Sequence, residues 1–436
     1  MKKLLLMLAA VGMIFTACEG NGGQDDETND NPTEQPGNGE NGGKDDVEIP
    51  ADKTQAIKFQ DEATKLLCTL HWDENEDGEL SYEEAAAITD LGTAFKGSSI
   101  LAFTELKYFT GLAEIADNAF EGCVSLVKIT LPEQITTIGI SAFEGCTNLK
   151  KIEIPDSVTS IGEHAFYGCT SLARVDISDL SAWCKIGFGN DANPLRNGAK
   201  LYLDNNEITE LVIPSDITEI KKDAFQGYTS LTSVTIHDSV TSIGYAAFYG
   251  CTGELIINSK IIETDYNYQY TSSYYPAYCN NVWLDDSNFT KLTIGNNITK
   301  IGSYAFYGCI SLTSVTIPDS ITSIGDGAFR YCSSLTSVTI PDSITSIGSN
   351  AFWGCESLTS ITIPDSVTEI GRYAFTDCSS LKNVYCKPTT PPSGRSYMFD
   401  DNASDRKIYV PRASVNAYKS AQYWSDYASY IVGYNF

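Results

Sequence analysis

The chain has 436 residues and a formal net charge of −27, with 29 basic against 56 acidic side chains. No segment forms the basic stripe that phosphate contacts need, which argues against a nucleic-acid partner. The three histidines, His71, His164 and His237, are too widely scattered for a zinc site, and the repeated hydroxyls of Ser314, Ser337 and Ser360 have no nearby histidine to act as base.

Residues 1–18 carry Lys2 and Lys3, an apolar run from Leu4 to Phe15, and then Thr16-Ala17-Cys18. This is the layout of a signal peptide, too short to span a bilayer as a mature helix. Small residues ahead of Cys18 resemble a lipoprotein box, which implies that Cys18 is lipidated and becomes the mature N-terminus. Phe15 stands where that box usually has leucine, and an ordinary secretory signal is the competing reading. Residues 19–50 are Gly, Asn, Asp and Glu with almost nothing apolar, so they cannot offset their ordering entropy and are expected to form a disordered acidic tether. An acidic run soon after a lipid-bearing cysteine resembles the export tag of some surface-displayed lipoproteins, and a solvated spacer fits it equally. The expected location is the outer membrane or cell surface, lipid-anchored and extracellular.

Residues 51–104 differ in kind. Asp73-Glu74-Asn75-Glu76-Asp77-Gly78-Glu79-Leu80-Ser81-Tyr82-Glu83-Glu84 matches the 12-residue EF-hand loop at each ligand place. Asp73, Asn75 and Asp77 fill positions 1, 3 and 5, Gly78 makes the turn, Glu79 gives its carbonyl, Ser81 acts through water, and Glu84 is the bidentate twelfth. Helices are predicted over Thr54 to His71 and Tyr82 to Leu91. Structural calcium is the expected cofactor, although EF-hands usually pair and only one is evident; an acidic helix-turn-helix that binds nothing competes.

From residue 105 to 385 a repeat takes over. Around Phe306 to Cys378 it is a strict 23-residue unit, with Cys309, Cys332, Cys355 and Cys378 marking the register. Such a period means a solenoid, because one unit cannot bury its apolar side without its neighbours. Within one unit Leu335, Val338, Ile340, Ile344 and Ile347 form the inward set, Ser337 and Thr339 alternate outward on a short strand, and Pro341 ends it. Gly348 is expected to supply a backbone angle closed to other residues, and Ala351-Phe352 to send a ring inward from a short helical turn. Nine phenylalanines keep that place, from Phe120 to Phe375, each preceded by alanine, and they read as a stacked spine. The fold class is therefore a leucine-rich-repeat-like solenoid with a parallel sheet on one face, short turns or 3-10 segments on the other, and a small helical module at its N-terminal end.

The strings Ile317-Pro318-Asp319-Ser320-Ile321-Thr322-Ser323-Ile324-Gly325 and Ala305-Phe306-Tyr307-Gly308-Cys309 resemble the BspA-like leucine-rich repeat family. The resemblance implies a curved solenoid on a bacterial surface, and members of that family bind host matrix proteins such as fibronectin and fibrinogen.

Two insertions interrupt the period, near 178–205 and 253–288, and both read as hairpin-like outgrowths. The second is rich in rings: Tyr266, Tyr268 and Tyr270 alternate on one strand face, and Tyr274, Tyr275, Tyr278 and Trp283 follow. Tyr and Trp suit a protein interface, and Tyr266, Tyr268, Tyr270, Tyr274, Tyr275 and Trp283 are the candidate ligand-binding residues; covering the open edge of an irregular coil explains them as well. The register cysteines read as a ladder of buried free thiols, since parallel Cβ vectors disfavour a disulfide torsion. Residues 386–436 abandon the period and are expected to cap the core, with Lys407 to Pro411 as a last strand and Ser414 to Tyr430 as a helix. No catalytic constellation emerges. The leading expectation is a non-enzymatic cell-surface adhesin with a protein partner, in the host matrix or on another cell; the alternative is a glycan-binding accessory lipoprotein.

Overall fold

The computed structural model describes residues 48–265 and 288–436. The chain winds into a solenoid in which successive coils pair strand on strand, all in parallel apart from one hairpin. Ser314 lies beside Ser337 and Val315 beside Val338, one repeat apart. The inward set is buried as its alternation predicts: Leu335, Ile344 and Ile347 are at most 1% exposed, and Val338 and Ile340 less than 10%.

A second, narrower ladder runs beside the first. Ser323–Ile324, Ser346–Ile347 and Glu369–Ile370 pair in parallel, as do Thr137–Ile138 and Ser160–Ile161 nearer the N-terminus. The third side of each coil is the Ala-Phe turn, and its amides divide their work. The Phe329 amide donates to Ala351 in the next coil at 2.8 Å, while the Cys332 amide closes back on Phe329 at 3.2 Å. Repeated hydroxyls tie the coils further. Thr345 Oγ1 donates to the Thr322 carbonyl at 3.2 Å, and the Ser343 and Ser366 hydroxyls donate to Ile321 and Ile344 carbonyls at 2.6 Å.

The glycine expectation is corrected. Gly348 does not lie among the residues with positive φ. A Cβ there would sit 2.5 Å from the Gly325 carbonyl carbon and 2.6 Å from the Asp326 amide nitrogen. Close approach of the neighbouring coil, and not an unusual angle, is what requires glycine. Left-handed backbone occurs instead at two other places in the turn, represented by Asn350 (φ 57°) and Gly354 (φ 75°).

The phenylalanine spine is real and longer than nine rings. Phe306, Phe329, Phe352, Phe375 and Phe399 stack at 5.2 to 5.5 Å with interplanar angles of 2° to 13°. Phe95 extends it at the other end, 5.3 Å from Phe120. No stacked pair among the described residues crosses from Phe166 to Phe225 or from Phe248 to Phe306, where the insertions lie. At the first insertion Lys200–Leu203 folds back on Asn206–Glu207 as an antiparallel hairpin, turning through Asp204 and Asn205 at positive φ. A short helix precedes it, Leu180–Lys185.

Both ends of the core are covered. Helix α1, Glu62–Trp72, is capped by Asp61, whose other carboxylate oxygen accepts the Leu101 amide at 2.7 Å, and Trp72 packs on Phe95 and Phe109. The predicted start at Thr54 is too early, because Ala56 is paired with Ser81 in an antiparallel bridge. Helix α2 is likewise short, Tyr82–Ala87. At the C-terminal end the predicted helix from Ser414 to Tyr430 is broken: α-helix covers only Val415–Ser420, and a further strand, Ile431–Tyr434, follows Lys407–Pro411. The break lets two buried rings reach separate carbonyls, Tyr418 to Pro388 and Trp424 to Pro392, each at 2.8 Å.

Candidate functional site

The residues of the EF-hand-like loop are brought together between α1 and α2. Asp73 Oδ2 accepts the Gly78 amide at 2.9 Å, Asn75 Oδ1 accepts Asp77 N at 2.8 Å, and Asp77 Oδ1 accepts Glu79 N at 2.9 Å. Gly78 turns at φ 86°. Asp73 Oδ1 is buried with no hydrogen-bond partner, an oxygen that a hard cation would satisfy. A lone hand normally lacks a strand partner, and the segment before α1 supplies one: Ile57 N donates to Leu80 O at 2.8 Å and Tyr82 N to Gln55 O at 3.1 Å.

Two residues hold other partners. Ser81 is the N-cap of α2 and forms a capping box with Glu84. Glu84 Oε2 accepts the Ser81 amide and hydroxyl, each at 2.8 Å, and Oε1 accepts the Glu74 amide at 3.0 Å. Burial pulls the Glu84 pKa upward, and the hydrogen bonds from Ser81, Glu74 and Asn75 outweigh that, so it lies below the ordinary value. The Glu79 side chain turns away to Lys65, 2.7 Å from its Nζ. Among the described residues no three His, Cys, Asp or Glu side chains are placed to hold a metal ion. The loop as folded is closed on its own amides, with Asp73 Oδ1 as its unsatisfied oxygen, and Glu84 would have to leave Ser81 and Glu74 to serve as a ligand.

Cys18 and the ring-rich run containing Tyr266, Tyr268, Tyr270, Tyr274, Tyr275 and Trp283 lie outside the described residues. Their point of attachment is described. The chain leaves at Asp265, which Lys300 Nζ and Ser303 N hold at 3.1 and 3.0 Å, and re-enters in the strand Asn288–Ile294. That interval is where the Ala-Phe turn belongs in a regular coil.

Sequence reasoning missed two aromatic surfaces. On the outward face of the first ladder the hydroxyl of Thr362 gives way, toward the C-terminal end, to Tyr385 and Tyr409, stacked at 4.8 Å, with Tyr434 edge-on at 5.4 Å from Tyr409. On the turn face Tyr307, Tyr331, Trp353, Tyr373 and Tyr397 run across consecutive coils. The signal was present, since each ring lies within two residues of a register phenylalanine or on the register strand; it is masked because these places vary from coil to coil.

The description "BspA type Leucine rich repeat region" matches residues 92–188, 198–282 and 279–405, in six copies. The chain belongs to the BspA-type leucine-rich repeat family. No curated protein matches it. Among solved structures, this BspA-type chain is similar to a leucine rich cell surface protein of Faecalibacterium prausnitzii at 25% identity, covering 70% of this chain and 85% of that one, with a TM-score of 0.31. It is also similar to a leucine-rich repeat protein of Bacteroides ovatus at 25% identity, covering 74% and 88%, with a TM-score of 0.39. No helix among the described residues of this BspA-type solenoid is long and apolar enough to cross a membrane.

Proposed function

We propose that this chain is a non-enzymatic adhesin, held outside the cell by a lipid on Cys18, that binds a protein partner. The observation that carries the reading is the solenoid itself, whose coils are tied to one another by backbone and hydroxyl bonds and so present a long, stiff surface with exposed rings. The hydroxyl ladder of Ser314, Ser337 and Ser360 is a weak anchor by comparison, exchanging water hydrogen bonds for similar ones at a net of about 1 kcal/mol each. The insertion from Tyr266 to Trp283 is the first candidate contact, because tyrosines give large contact area at low entropy cost. A glycan partner is the second reading, and the same run of tyrosines motivates it.

Anchoring is tested by Cys18→Ser, which should release the protein from the membrane fraction; retention there refutes the lipid. For the binding site, Tyr268→Ala, Tyr270→Ala and Tyr275→Ala together should weaken a captured partner far more than Ser337→Ala with Thr339→Ala, at similar melting temperature. The reverse ranking moves the contact to the sheet.

Calcium belongs to the same proposal as a structural ion at the N-terminal end, held by Asp73, Asn75, Asp77, the Glu79 carbonyl and Glu84, with Ser81 acting through water. The orphaned Asp73 oxygen and the amide-bound loop geometry support it. Because Glu84 gives up amide bonds to bind, the affinity belongs in the range of extracellular modules, about 10⁻⁴ to 10⁻³ M.

A further inference from the structure

The turn face carries a continuous aromatic stripe. Ring centroids are 5.7 Å apart for Tyr307 and Tyr331, 6.0 Å for Tyr331 and Trp353, 5.6 Å for Trp353 and Tyr373, and 5.0 Å for Tyr373 and Tyr397. Tyr304 joins its end, 6.2 Å from Tyr307. Tyr331 and Tyr397 are 38% and 45% exposed.

Tyr304 packs partly against the core, but the coil does not need a ring at its place, which Ala246 and Asn350 fill elsewhere. Tyr304, Tyr331, Tyr373 and Tyr397 have φ of 59°, 63°, 57° and 64°, a left-handed conformation that a bulky side chain adopts only at a cost. The turn imposes this angle whatever residue stands there: the place of Tyr304 and Tyr373 holds Asn118, Ser141, His164, Asp223, Ala246, Gly327 and Asn350 in other coils, and that of Tyr331 holds Gly308 and Gly354. The neighbouring coils make room. A Cβ on Gly327 would lie 2.5 Å from the Tyr304 ring, and one on Gly354 would lie 2.5 Å from the Tyr331 ring. Tyr331, Tyr373 and Tyr397, bulky residues at positive φ on one stripe with Tyr331 and Tyr397 exposed, point to contact with something outside the chain.

The chemistry of that contact follows from how the rings are held. Arg330 lies 4.0 Å from the centre of Trp353 and 4.7 Å from that of Tyr331; Arg372 lies 4.6 Å from Tyr373 and 5.5 Å from Tyr397. Tyr373 and Tyr397 face each other at 9°, and Trp353 and Tyr373 at 24°. From Trp353 to Tyr397 the facing ring surfaces are thus taken up by one another and by guanidinium groups, while Tyr307 meets Tyr331 edge-to-face at 73°. Sugar rings need faces, so a glycan is disfavoured. Tyr, Trp and Arg together are the composition of a protein contact. Arg372 is exposed, donates to the Tyr373 hydroxyl at 3.0 Å, and has no carboxylate partner among the described residues. Four steps of about 4.8 Å make the stripe about 20 Å long, the reach of about six extended residues.

We propose that the turn face from Tyr304 to Tyr397 is a docking track for an extended acidic peptide segment of a protein partner, laid along the solenoid axis with a carboxylate on Arg372. This rests on the protein-binding reading above and places the contact on a different surface.

The test selects a phage-displayed library of random 12-residue peptides on the full-length chain and measures the enriched peptides by fluorescence anisotropy. Enriched sequences should be acidic. Their affinity should fall at least about tenfold with Tyr373→Asn and Tyr397→Asn together, and Arg372→Gln should abolish the acidic bias. Asparagine is a residue the repeat itself uses in this turn, so the melting temperature should stay within about 3 °C. A larger fall shows that the rings are structural and overturns the proposal. Enriched peptides that ignore these substitutions but respond to Tyr268→Ala, Tyr270→Ala and Tyr275→Ala overturn the track and leave the protein-binding reading standing. No enrichment, with binding to a soluble polysaccharide panel instead, overturns both.

Discussion

The thiol of Cys355 points at the carbonyl oxygen of Phe329 one coil back, with Sγ 3.3 Å from O. The same contact recurs from Cys146 to Phe120, Cys169 to Phe143, Cys332 to Phe306 and Cys378 to Phe352, at 3.1 to 3.2 Å. Each of these cysteines therefore gives a core carbonyl a second donor beside a backbone amide, in addition to filling space. Where the first insertion removes the next register cysteine, Asn197 Nδ2 reaches the Phe166 carbonyl at 3.3 Å instead.

Replacing that donor should lower stability. Cys355→Ala removes one of two donors to the Phe329 carbonyl, which keeps the Cys332 amide, and leaves a small void, so a loss of about 1 kcal/mol is expected. Chemical denaturation of the variant against the parent reads it directly. A neutral substitution would mean that the thiol only fills volume.

The thiols also predict a limit at alkaline pH. Burial raises Cys169, Cys251 and Cys378 from 9.0 to about 12. A thiol held neutral in the fold binds its proton more tightly there than in the unfolded chain. Stability is therefore undiminished below pH 9 and falls as pH rises toward 12. Melting temperature should drop progressively between pH 9 and 11, and thiol reagents at pH 8 should label these cysteines only after unfolding. Rapid labelling of the folded protein would contradict the burial argument.

Two glycines separate crowding from backbone angle. A Cβ at Gly348 meets Gly325 backbone at 2.5 Å, whereas Gly97 has φ 68° and open space around it. Gly348→Ala should cost about 3 kcal/mol or more, since neither coil can yield without breaking the ladder. Gly97→Ala should cost only about 1 to 2 kcal/mol. Equal melting temperatures for the two variants would refute this ranking.

The calcium loop yields a prediction in acid and one with the ion. The Glu84 pKa is depressed in the fold, so its contribution is present above the ordinary value of 4.5 and is lost as pH falls through the lowered one. Calcium at ten times the dissociation constant should add about 1.4 kcal/mol to the stability of the segment that holds the loop. Glu84→Gln should remove the calcium increment, measured by titration calorimetry on the full chain and by melting with calcium or chelator. Identical melting under both conditions would reduce the loop to a capped turn.

Much of this was legible because repetition amplifies weak local signals. A single Leu-x-x-Val-x-Ile is ambiguous, but nine coils in register determined the parallel solenoid, its inward set and its phenylalanine spine from Phe120 to Phe375. The loop from Asp73 to Glu84 was legible because its geometry is local, each side chain capping an amide a few residues away. What tertiary structure alone decided is what depends on distances between coils. The role of Gly348 lies in its approach to Gly325, that of Cys355 in its reach to Phe329, and that of Tyr373 in its stacking on Tyr397. Those partners are 23 to 26 residues away, and a one-dimensional pattern shows that a residue recurs without showing which atom of the neighbouring coil it meets.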